Sequence, residues 1–69
     1  MSEENNERPF GSVALGKGFV SDEQVIEAFE LQLKESLMGK EHRFIGEILV
    51  ALGYMTGSQV HEVLREIGI

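Results

Sequence analysis

The sequence contains no cysteine, no tryptophan and a single proline, and it has half as many basic as acidic residues. The missing cysteine excludes disulfides, thiolate metal sites and thiol nucleophiles. Six Lys and Arg against twelve Asp and Glu, with no basic cluster, exclude a surface that could neutralise a row of nucleic-acid phosphates. No apolar run approaches the roughly 20 residues of a membrane span, and no basic-then-apolar signal segment is present. The expected compartment is therefore the cytoplasm. At 69 residues the chain has room for one domain, which at this size buries only about 60% of its unfolded surface.

What is present is an ordinary globular inventory, 42% hydrophobic, with a net charge of −6. Half of that net charge comes from Glu3, Glu4 and Glu7, in a polar stretch over 1–7 that reads as a flexible acidic tail. The remainder, 8–69, reads as the folded domain.

The domain repeats itself at an offset of 35 residues. Gly11, Gly18, Gln24, Val25 and Glu27 fall on Gly46, Gly53, Gln59, Val60 and Glu62. Phe10 falls on Ile45, Val13 on Ile48, Phe19 on Tyr54, Ser21 on Thr56 and Phe29 on Leu64. This is the signature of a duplicated helix-turn-helix unit, one copy over 8–38 and the other over 43–68. Each copy has its own punctuation. Ser21 with Gln24, and Thr56 with Gln59, have the spacing of a capping box, in which hydroxyl and glutamine satisfy each other's backbone amides. Gly18 and Gly53 follow apolar-periodic runs and are placed to end helices in the left-handed conformation. Phe19 and Tyr54 should then fold back near Ala14 and Leu49.

The expected fold is all-α, a small four-helix bundle of two tandem helix-turn-helix repeats. The helices are placed at about 9–17, with Pro9 in the first turn, and at 22–38, 44–52 and 57–67, with Gly68 as the last stop. In the second, Val25, Ile26, Phe29, Leu33 and Leu37 form an apolar stripe.

No catalytic or metal-binding constellation emerges. His42 and His61 have no second imidazole at helical spacing, and Glu23, Glu27 and Glu30 read as a solvated face. Ser21 and Thr56 are accounted for as caps. Neither an enzyme nor a cofactor is expected. Gly11 and Gly46, each expected in a helix's first turn, imply close approach to the backbone by another helix or by a planar ligand.

The pattern Phe10-Gly11, Ala14-Leu15, Gly18, then Val25, Phe29 and Gln32 resembles the MshEN domain. That domain is also described as the N-terminal domain of type II secretion and type IV pilus assembly ATPases. Ile45-Gly46, Ile48-Leu49-Val50 and Gly53, then Val60 and Leu64, repeat the likeness, which covers about 8–67. The family's leading arginine stands here as Pro9 and Phe44, with Arg8 and Arg43 one residue earlier, and its closing glutamine is Gln32 in one copy and Ile67 in the other.

The resemblance implies a bacterial, non-catalytic adaptor that docks a protein partner through an apolar groove, the partner belonging to secretion, pilus or signalling machinery. The alternative it implies is a receptor for cyclic di-GMP with degenerate motifs. Its ligand contacts would then be Arg8, Phe10, Gly11, Val25, Phe29, Gln32, Arg43, Ile45, Gly46, Val60 and Leu64. A homodimer is a third expectation, since so small a core gains from a second copy.

Overall fold

The computed structural model describes residues 2–68, with side chains from residue 9 onward. Four helices follow in order: α1 (Ser2–Gly16), α2 (Asp22–Leu37), α3 (Ile45–Ala51) and α4 (Gly57–Ile67). There is no strand among the described residues. The all-α bundle expected from the periodicity is what the chain forms.

The turns are built as the local signals dictate. Gly18 has φ +76° and Gly53 has φ +83°. After α1, the Gly18 amide donates to the Leu15 carbonyl and the Phe19 amide to the Ala14 carbonyl, both at 3.0 Å. After α3, the Gly53 amide donates to Val50 and the Tyr54 amide to Leu49, both at 2.9 Å. These are paired Schellman closures, in which a left-handed residue lets two orphan carbonyls find donors. Both capping boxes then form. The Gln24 amide donates to Ser21 Oγ and the Ser21 amide to Gln24 Oε1. Thr56 and Gln59 make the same exchange. Every one of these bonds recurs after 35 residues.

Packing crosses between the halves. α1 lies along α4, α2 lies along α3, and α1 also meets α3. Phe10, Ala14, Val20, Val25, Ala28, Ile45, Ile48, Leu49, Met55 and Val63 are buried together. Fully burying a side chain such as Ile48 or Leu49 contributes on the order of 2 kcal/mol. Lys17, at the end of α1, ties this end to α4 by ion pairs to Glu62 (3.3 Å) and Glu66 (2.8 Å).

Two expectations are corrected. The backbone of α1 is helical from Ser2, so the stretch read as a tail enters the helix and Pro9 lies inside it, not in its first turn. Pro9 removes one amide from the ladder there.

The second correction concerns α2, whose apolar stripe does not face the core as a unit. Val25 is buried and Phe29 half-buried, but Ile26, Leu33 and Leu37 are exposed. Ala28, outside the expected stripe, takes the buried position instead. One cause is length. α2 has 16 residues and α3 only 7, about 24 Å against about 10 Å of helix. The second half of α2 therefore outreaches its partner and leaves Leu33 and Leu37 exposed, while Ile26, in the first half, is exposed because Val25 and Ala28 take the side facing the core.

The left-handed turn gives a direct test. Gly53→Val should cost about 1 kcal/mol or more in chemical denaturation, because a branched side chain resists positive φ. Gly57→Ala, in the first turn of α4 with open space around it, should cost nothing. Equal effects at the two positions would contradict the assignment.

Candidate functional site

The residues singled out for ligand contact, Arg8 apart, fall into three groups engaged within the chain. The first group is the start of α3. A Cβ on Gly46 would lie 2.9 Å from Phe10 Cζ and 3.2 Å from two ring carbons of Phe44. The Phe10 and Phe44 rings meet edge to face, centroids 5.3 Å apart and planes at 84°. The body that requires a glycine at 46 is therefore the chain's own Phe10 ring, which is fully buried.

The second group surrounds Gly11. Its Cβ would meet Val25 Cγ1 at 3.4 Å and Phe29 Cε2 at 3.7 Å, ordinary van der Waals contact with α2. Gly11 also lies in the interior of α1, not in its first turn as expected. Its amide is not one of the four free donors that a helix start offers. Val60 and Leu64, on α4, are half-buried against the core, and Ile45 is wholly inside it.

The third group clasps the connection between α2 and α3. Gln32 Nε2 donates to the Arg43 carbonyl at 2.8 Å. The Arg43 guanidinium makes a two-pronged ion pair with Glu35, through Nε (3.1 Å) and Nη2 (2.6 Å). The Arg43 hydrogen bond, opposed by a smaller desolvation and helped by the charges of Arg43 and Lys40, holds the Glu35 carboxyl below the ordinary carboxylate range. It raises the already high pKa of Arg43. A bidentate fork of this kind is what an arginine would offer a phosphate, and here a carboxylate occupies it. Arg8 lies outside the described side chains.

Three interactions had no signal in the sequence. Tyr54 Oη donates to Glu27 Oε1 at 2.7 Å, joining the turn after α3 to α2 and raising the phenol's pKa above its ordinary value. Arg43 finds Glu35 across eight residues that include a turn. Lys17 finds Glu62 and Glu66, one helical turn apart on α4, and the Glu66 bond chiefly raises its pKa. Spacing along the chain reveals the acid pair on α4 but not the cation between them.

What remains open to a partner is the overhanging face of α2. Ile26 is 56% exposed, Leu33 60%, Leu37 78% and the following Met38 63%. Beside this face, Phe29, Gln32, Leu33, Ser36 and His42 line a shallow groove of about 300 Å³. Another depression, about 470 Å³, is lined by Glu27, Glu30, Leu31, Lys34 and Leu52 and carries three charges. Among the described residues no group of three His, Asp or Glu could hold a metal ion, and no helix is long and apolar enough to cross a membrane. Comparison of the chain with family models, with curated proteins and with solved structures finds no match.

The glycines separate packing from ligand binding. Gly46→Ala should destabilise by about 1 kcal/mol or more, because the overpacking penalty exceeds the helix propensity gained. Gly11→Ala, with ordinary contacts, should be neutral or stabilising by up to about 1 kcal/mol. Denaturant midpoints that rise for both would mean that neither backbone is closely covered.

Proposed function

We propose that this chain is a non-catalytic interaction module that receives an amphipathic helix of a protein partner on the exposed face of α2. The observation that carries this reading is the run Ile26, Leu33, Leu37 and Met38, all more than half exposed on a domain with few apolar side chains to spare. Scattered exposed leucines need no explanation, but Ile26, Leu33 and Leu37, seven and four residues apart on one side of α2 beside a groove, do. A row of this kind matches the anchors of helix-in-groove recognition, which repeat every three to four residues. The likeness to MshEN domains agrees with an adaptor role.

The alternative, a cyclic di-GMP receptor, has less support. Its contact residues include Phe10, Val25 and Ile45, which are buried, and Gln32 and Arg43, which hold the linker. Nucleotide binding through Arg43 would require breaking its ion pair with Glu35.

The test uses helices selected against this chain from a displayed library of amphipathic sequences. On binding, the backbone amides over 26–38 should shift, and Leu33→Asp should weaken the selected helices at least about tenfold. Failure to select any helix binding below about 1 mM, or binding that leaves those amides unmoved, would end the reading. In the same spectra cyclic di-GMP should leave Gly11, Gly46 and Gln32 in place.

A further inference from the structure

We infer that the occupant of the α2 face is a second copy of this chain, docked with its α2 antiparallel to the first. This rests on the docking reading above and adds the identity of the partner. The argument is one of register and charge. At 100° per residue, Ile26, Phe29, Leu33 and Leu37 fall within about 80° of arc, a continuous seam along α2. The seam is symmetric about its middle. With a two-fold axis between residues 31 and 32, Ile26 lies opposite Leu37 of the partner subunit, and Phe29 lies beside Leu33 of the partner subunit. Each copy thus supplies both halves of the same contact, as an isologous interface requires.

The charges along α2 favour the reversed direction. Its first half carries only acids, Asp22, Glu23 and Glu27, while its second half carries Lys34 between Glu30 and Glu35 and is less negative. Two parallel copies would set acid against acid. In an antiparallel pair the same edge of each helix meets its equivalent, which brings Glu30 to Lys34 of the partner subunit, twice. Both side chains lie on one edge of the seam, one turn apart and exposed, and neither has an ion-pair partner among the described residues. Of the other acids on α2, Glu27 accepts from Tyr54, Glu35 is held by Arg43, and Asp22 and Glu23 stand in the first turn, more than two turns from the axis. A seam of four apolar side chains over about 24 Å of helix is at the low end of specific interfaces. Association is therefore expected at a dissociation constant on the order of 100 µM.

The test is sedimentation equilibrium of the whole chain from about 10 µM to about 1 mM. The mass should rise from one chain toward two. Leu33→Asp, at an exposed position that leaves the fold intact by circular dichroism, should hold it at one. Glu30→Lys alone and Lys34→Glu alone should each associate roughly tenfold more weakly, and an equal mixture of the two should recover the unmodified affinity. In the antiparallel register each single variant sets like charges at both contacts, and the mixed pair restores opposite charges at both, as in the unmodified dimer. A mass of one chain at every concentration overturns the second copy, and selected helices that still shift the 26–38 amides would then leave the docking reading standing. A dimer indifferent to both charge variants overturns the antiparallel register.

Discussion

The fold depends on one contact, the Phe10 ring laid over the backbone at Gly46 with its edge met by Phe44. A glycine at 46 lets α1 approach α3 with a whole aromatic ring between them and no Cβ in the way. Burying Phe10 completely in a chain of this size supplies a large share of its apolar stabilisation. The contact joins a residue of the first half to residues of the second. From it the other two helices take their places, α4 along α1 and α2 along α3. Because α3 is short, this arrangement leaves the end of α2 uncovered, and the candidate docking face follows from the same geometry.

The parts of this structure that are legible in the sequence are those with local causes. A glycine after an apolar run, followed by a hydroxyl and then a glutamine three residues on, specifies a left-handed turn and a capping box without reference to anything distant. Gly18, Ser21 and Gln24 do this in one half and Gly53, Thr56 and Gln59 in the other, and all their bonds form. Burial along α2 is not legible in the same way. Periodicity identifies the apolar stripe, but whether Ile26 or Ala28 faces the core depends on where α3 lies and how far it reaches. The start of α1 is obscured by Pro9, which reads as an opening residue and sits in an interior turn.

The candidate ligand residues show the same division. Their types and spacing read in the sequence as ligand contacts, yet Phe10, Gly11, Val25, Ile45 and Gly46 are packed in the core or against it. Gln32 and Arg43 are accounted for by the linker they fasten, through partners that no spacing rule identifies. The two glycines that coincide after 35 residues are covered differently, Gly46 by two phenyl rings and Gly11 by Val25 and Phe29 of α2. The difference follows from Phe44, whose counterpart in the first half is Pro9. Duplication of a sequence pattern thus does not impose equal surroundings on its copies.

A double-mutant cycle of Phe10→Leu and Gly46→Ala, measured by denaturant unfolding, tests the central contact most directly. Leucine leaves room for the alanine methyl, so the double variant should be more stable than the sum of the two single losses by about 1 kcal/mol or more. Additivity to within about 0.5 kcal/mol would mean that the two residues do not touch, and the arrangement of helices built on them would be wrong.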